Sequence, residues 1–263
     1  IAVSFLLYLY ILLTIMAHSA EIATETLIEL ETLTHADRAF QTLQSDITKG
    51  DIKPGSKISE AELASQYGIS RGPLREALQR LESRGLIERI AHVGARVVSL
   101  NLNELLEIYQ VREALEGLAC RLAAANMTDE EIALLGQLLD KHASDTQLQS
   151  GHAYFQKEGD LDFHYQIVKG AKNDHLAKQI LGDMYHLLRM YRYQCSLSEG
   201  RPQLALKEHR SILDAIADRD GDLAELLMRK HIRKARENIS AQYNQQDFDL
   251  INEATKKPQR SKT

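Results

Sequence analysis

Beyond Leu100 the chain reads as helix almost to its end, and this constrains the fold more than any other feature. "NELLEIYQVREALEGLACRLAAANM" is long and amphipathic, with Leu105, Ile108, Val111, Leu115 and Leu118 in register on one predicted core face. Thr128 and Glu131 stand at capping-box spacing at the head of the next helix. Further helices are predicted over residues 153–170, 174–196, 202–218 and 222–242. Only 14 glycines and 4 prolines punctuate 263 residues, and the long stretches are rich in Ala, Leu, Glu, Lys and Gln. With 44% apolar and 26% charged residues the chain is globular rather than disordered. The expected architecture is mainly α, with an all-helical domain over residues 101–245 and a polar, basic, unstructured tail over 246–263.

Residues 32–100 carry a different pattern. "HADRAFQTLQSDITKG" gives a helix with Ala39, Phe40, Leu43 and Ile47 on one face, ending at Gly50, and Pro54-Gly55 makes the turn that follows. "EAELASQYG" is a short helix closed by Gly68 in the left-handed conformation. A third helix runs from Ser70 to about Arg84. Two strands, near 86–90 and 95–99, are joined by a turn at His92-Val93-Gly94. Three helices followed by a two-stranded ribbon make a winged helix-turn-helix.

The third helix opens oddly. Arg71 and Arg75 crowd its N-terminus, where the helix dipole favours anions. Leu74, Leu78 and Leu81 share the core face, so Arg71, Gly72, Arg75 and Gln79 fall together on an exposed flank. Two guanidinium forks, bare backbone and an amide are the groups that pair with guanine, phosphate and adenine. Pro73 sits in the first turn, where its missing N–H removes no helical bond. Ser70 serves as the helix cap or as a phosphate ligand. The spacing taken alone is also that of a solvated arginine-rich face. Charge distribution favours the nucleic-acid reading. Residues 71–96 hold six arginines against three glutamates, a local +3, on a chain whose net charge is −5. Arg80 and Arg84 lie on another flank and are assigned to solvent or backbone contacts. Gly94 lets the wing tip approach the minor groove or its phosphates.

"LASQYGISRGPLREALQRLESRGLI", with "GDIKPGSKIS" before it and "GARVV" after it, closely resembles the DNA-binding signature of GntR-superfamily transcription regulators. The resemblance implies that Ser70, Arg71 and Arg75 read DNA, with Gly94 in the wing. Ala61 stands where many members place an arginine in the second helix, so one contact lacks its residue.

In the helical half, Asp160 and His164 stand at i and i+4 of the predicted 153–170 helix, on the side of Ile167 and Val168. His209 shares a face with Leu213 and Ile216, and His231 lies one turn after Leu227. From spacing alone, an inward histidine is more often a satisfied core residue; three that converge would give an Asp/His3 site suited to Zn²⁺, Ni²⁺ or Mn²⁺. This half resembles the FCD domain of the FadR-type GntR branch, many of whose members bind a divalent metal through an Asp and three His at positions matching Asp160, His164, His209 and His231. The resemblance also implies that Arg112 faces the pocket and pairs with an acid. Its alternative is a surface ion pair with Glu116 at i+4. His142, His152, His175 and His186 have no matching context and are left as ordinary polar residues.

The function expected is that of a metabolite-responsive regulator, a repressor, binding a palindromic double-stranded operator as a homodimer and sensing a small carboxylate effector. The competing reading is a metal-dependent hydrolase at the Asp/His3 site, but no general base, nucleophile motif or phosphate loop accompanies it. Cys120 and Cys195 give no disulfide framework, which suits a reducing cytoplasm. "IAVSFLLYLYILLTIM" at residues 1–16 is uncharged but shorter than the roughly 20 residues of a spanning helix. The expectation is that the native chain starts at Met16, that residues 1–15 are not part of it, that the rest of 1–31 is a flexible arm, and that no membrane is involved.

Overall fold

The computed structural model describes residues 33–242, apart from 92–93, 152–153, 155, 157–158, 183 and 196–199. The leader, the proposed start at Met16 and the basic tail lie outside the described residues.

Helix α1 (His35–Lys49) starts on a reciprocal capping box between Thr34 and Asp37 and stops at Gly50, whose φ is 83°. It buries Ala39, Phe40, Leu43 and Ile47, the face expected from the spacing. Helix α2 (Glu60–Gln66) is followed by Gly68 at φ 63°, the left-handed residue that turns the chain into α3 (Arg71–Ser83). Leu74, Ala77, Leu78 and Leu81 hold α3 in the core. Strands β1 (Ile87–Ile90) and β2 (Gly94–Val97) pair antiparallel, with Ile87 opposite Val97 and Ile90 opposite Gly94. The segment before α2 runs along β2: Ile58 N donates to the Ala95 carbonyl at 2.8 Å and Val97 N to the Ser56 carbonyl at 2.9 Å. The winged helix-turn-helix is formed as expected.

The second half is all helical among the described residues: α4 (Leu102–Asn126), α5 (Asp129–Ala143), α6 (Thr146–Gln149), a 3-10 turn (Gly159–Leu161), α7 (Phe163–Gly170), α8 (Asp174–Leu181), α9 (Met184–Cys195), α10 (Arg201–Ala217) and α11 (Gly221–Gln242). Helix α4 is the axis, packed against α11, α7 and α10. The halves meet where Leu100 N donates to Tyr191 Oη at 2.8 Å. No described helix is long and apolar enough to cross a membrane.

Three sequence expectations change. The 153–170 helix begins only at Phe163, because Asp162 takes an extended conformation and caps it, accepting from His164 N and Tyr165 N. The 174–196 helix is two helices broken at Gly182, whose φ and ψ are −78° and −142°. Finally, α4 buries only part of its predicted stripe: Leu105 is buried and Ile108 and Leu115 half-buried, but Val111 is 54% and Leu118 39% exposed, while Arg112 and Glu116 are buried. The polar face turns inward because it finds partners there. Small residues on it also admit the neighbouring helix; a Cβ on Gly117 would stand 2.7 Å from Arg229 Cγ.

Candidate functional site

On the DNA-binding half, Ser70, Arg71, Gly72, Arg75 and Gln79 are all exposed along the start and one flank of α3. Ser70 is the N-cap residue in backbone conformation, yet its hydroxyl makes no cap bond. Nothing lies within 4 Å of a Cβ built on Gly72. Arg75 Nε bonds Glu60 Oε2 at 2.7 Å, with the arginine side chain 62% exposed. An exposed pair of this kind is worth about 0–1 kcal/mol, so it orients the guanidinium without sequestering it. Gly94 is exposed at φ 101°, and Lys57 Cε is 4.0 Å from the position its Cβ would take, which adds a cation beside the wing. Arg80 and Arg84 are half-buried and also make contacts within the domain. Arg80 bonds Asp37 at 2.8 Å, and both guanidinium groups lie over the Phe40 ring, at 4.2 and 4.6 Å.

In the helical half, the structure brings together His164 on α7, His209 on α10 and His231 on α11, each offering a nitrogen within 4.8 Å of the others. All three are buried. Asp160 lies in the 3-10 turn rather than on α7, so the helical i, i+4 pairing with His164 is not formed; its side chain lies outside those described. His164 Nδ1 donates to Glu116 Oε2 at 2.6 Å, and His231 Nδ1 donates to Glu208 Oε2 at 2.7 Å. A carboxylate accepts only, so both rings keep their hydrogen on Nδ1 and present the Nε2 lone pair. His209 Nε2 is buried without a hydrogen-bond partner. Three imidazole nitrogens at this spacing, one of them orphaned, fit a borderline divalent ion.

Electrostatics agree. Burial pushes His231 down to about 4, against the opposing pull of Glu208, with His164 and Arg201 adding to the depression. Burial would raise Glu208, but its bonds to His231 and Lys234 and the charge of Arg201 hold it at about 2. Asp162 follows the same logic: it is fully buried, which raises it, and Arg192 outweighs that and keeps it ionised. Arg192 grips Asp162 through both terminal nitrogens, and Tyr185 Oη donates to the same carboxylate at 3.2 Å.

A cavity of about 60 Å³ opens on the histidines and is lined also by Arg112, Arg192, Arg201 and Gln156. Arg112 Nε bonds Glu116 Oε1 at 2.7 Å. The i+4 pair is therefore made, but with both side chains at most 5% exposed, not on the surface. Glu116 entered the sequence reading only as the i+4 partner of Arg112, and Arg192, Arg201, Glu208 and Tyr154 were not singled out. Arg192 comes from α9, Arg201 and Glu208 from α10, and Tyr154 from the loop before the 3-10 turn, so no local spacing links them.

A winged helix-turn-helix with exposed arginines on α3, joined to a helical bundle whose interior cavity is lined by histidines and arginines, is the arrangement of a two-domain DNA-binding regulator. Residues 35–97 match the family described as bacterial regulatory proteins, gntR family, and residues 107–234 match the FCD domain. The Nta operon transcriptional regulator of Aminobacter aminovorans is 32% identical over 70% of this chain and 84% of its own. The HTH-type transcriptional repressor GlaR of Escherichia coli (strain K12) is 30% identical over 76% of this chain and 93% of its own. The solved structure of E. coli McbR/YncC shares the fold, with a TM-score of 0.61 at 21% identity over 81% of this chain and 100% of that one. The chain belongs to the GntR family of transcriptional regulators, with an FCD domain as its second half. Its relatives are regulators and not enzymes, which overturns the hydrolase alternative.

Proposed function

We propose that the protein is a metabolite-responsive transcriptional repressor that acts in the cytoplasm, binds a palindromic operator as a homodimer, and senses a small carboxylate at a metal centre in its helical half. The observation that carries the sensor reading is the buried cluster of His164, His209 and His231, two of whose rings are held by carboxylates with Nε2 left open. Asp160 is the proposed fourth ligand. A bound Zn²⁺, Ni²⁺ or Mn²⁺ supplies positive charge and open coordination positions for an acid. The guanidinium of Arg112, with Arg192 and Arg201, surrounds the cavity with donors that orient a carboxylate beside the histidines. On DNA, Arg71 and Arg75 reach base edges, Ser70 and the backbone at Gly72 meet phosphate, Gln79 extends the reading flank, and Gly94 brings the wing close. The repressor assignment is supported by relatives so named, such as GlaR.

Metal content and thermal stability, measured on the wild type beside His209→Ala with mono-, di- and tricarboxylates added to each, test the sensor. Stoichiometric metal and a carboxylate-dependent rise in Tm that follows RT ln(1 + [L]/Kd), both lost in the variant, are expected. A protein with neither metal nor shift reduces the cluster to core packing and leaves only the DNA-binding half of the proposal.

A further inference from the structure

Two imidazoles of the cluster are oriented by carboxylates; His209 is not. Its Nδ1 lies 3.1 Å from Tyr154 Oη. The same hydroxyl lies 2.9 Å from Nδ1 of His142, the α5 histidine that has no place in the sequence motif. The far nitrogen of that ring, Nε2, is 3.2 Å from the main-chain oxygen of Leu161.

This chain has a direction. A carbonyl oxygen only accepts, so His142 carries its hydrogen on Nε2 and donates it to Leu161. In the neutral ring Nδ1 is then an acceptor, and it takes the single proton of the Tyr154 hydroxyl. The tyrosine oxygen keeps lone pairs and accepts from Nδ1–H of His209. The hydrogen of His209 is thereby held on Nδ1, and Nε2 is left as a bare lone pair. That nitrogen is the buried atom with no hydrogen-bond partner. The ring cannot easily turn to exchange its nitrogens, because Phe163 stacks on it at 4.2 Å and 24°.

We propose that the Leu161 carbonyl, His142 and Tyr154 form a tautomer relay that makes His209 a lone-pair donor at Nε2. The relay does for His209 what Glu116 and Glu208 do for the other two rings, and it does so without placing a third carboxylate against the cluster. Its consequence for metal affinity rests on the sensor reading above; the tautomer itself is a property of the metal-free protein. His142 and Tyr154 are positioning residues: they act through His209 and touch no ion. Removing outer partners of ligating histidines typically weakens metal binding about 10- to 100-fold.

Histidine-selective ¹⁵N NMR of the full chain, treated with chelator, reads the tautomers directly. The expected result is His209 protonated on Nδ1 and His142 protonated on Nε2. A His209 ring protonated on Nε2 in the wild type overturns the proposal. Zinc competition against a chromophoric chelator then compares the wild type, Tyr154→Phe, His142→Leu and His142→Gln, with Tm of the zinc-free forms measured in parallel. Zinc affinity is expected to fall 10- to 100-fold in Tyr154→Phe and His142→Leu. It is expected to recover in His142→Gln, whose amide offers one acceptor and one donor; a packing role alone does not distinguish Gln from Leu in this way. Equal zinc affinity in all four proteins overturns the relay. A wild type that takes no zinc yet shows the expected tautomers upholds the relay and removes the metal-centre reading.

Discussion

His209 is 1% exposed, and burial first, then the neighbouring His231 and His164, push its pKa well below the ordinary imidazole value. His164 is lowered by the same burial, which outweighs Glu116, and His231 falls to about 4. In the unfolded chain these rings titrate near 6.5. Between those values the unfolded state binds more protons than the native one, so stability is complete above about pH 6.5 and is lost as pH falls towards the native pKa. For His231 alone the loss by pH 4 is on the order of 3 kcal/mol. Urea midpoints of the chelator-treated protein from pH 7 to pH 4 should therefore drop steeply, and His231→Gln should flatten part of that slope. On α3, Arg71→Ala and Arg75→Ala should each cost about 1–3 kcal/mol on the operator and relax base preference at one position. Lys57→Ala, beside the wing, should instead weaken all sequences alike and shallow the salt dependence by about one contact. Binding isotherms at several salt concentrations separate the two behaviours.

Among the elements, α7 shows how one residue sets two structures. Asp162 caps the helix through its Oδ1 and, fully buried, neutralises Arg192 from α9. Losing a cap costs about 1 kcal/mol, whereas leaving a buried charge without its partner costs about 3–5 kcal/mol. Asp162→Asn keeps an acceptor for the cap but not the charge, so it should already be destabilised by about 3–5 kcal/mol. Asp162→Ala should then be about 1 kcal/mol worse again, a difference that denaturant unfolding resolves. At the α8–α9 break, a Cβ on Gly182 would stand 2.6 Å from the carbonyl oxygen of Lys178. Backbone cannot yield as a flexible side chain does. Gly182→Ala should lower stability by about 1–3 kcal/mol, with a matching fall in Tm.

Taken as a whole molecule, the reading head and the histidine cavity are far apart in sequence but joined by a continuous apolar core and by the Leu100–Tyr191 hydrogen bond. If a carboxylate effector of the proposed kind weakens operator binding by some factor, the operator must weaken its binding by the same factor. Couplings of this type are about 1–3 kcal/mol, or roughly 5- to 150-fold. Calorimetric titration of effector into the protein with and without operator DNA should return that factor, and fluorescence titration of DNA with and without effector should return it again.

The winged helix-turn-helix was legible because its determinants are local: the Gly68 turn, the Leu74, Leu78 and Leu81 face, and the arginines opposite it all lie within one short stretch. Most helices of the second half were legible for the same reason, though not the late start of α7 behind Asp162 or the break at Gly182. The convergence of His164, His209 and His231 was legible once the family resemblance was added to their spacing. What spacing could not decide is which face of a helix turns inward when a polar face has better partners. On α4, Arg112 and Glu116 go inside and Val111 and Leu118 stay out, because the bundle interior supplies His164 and the cavity around it. Asp160 was placed on a helix that Asp162 caps two residues later. Tyr154 and His142 acquired a role only through contact with His209 and Leu161. Periodicity determined the elements; which buried polar groups satisfy one another was settled only by packing, since a hydrogen bond between residues 55 positions apart leaves no local pattern to read.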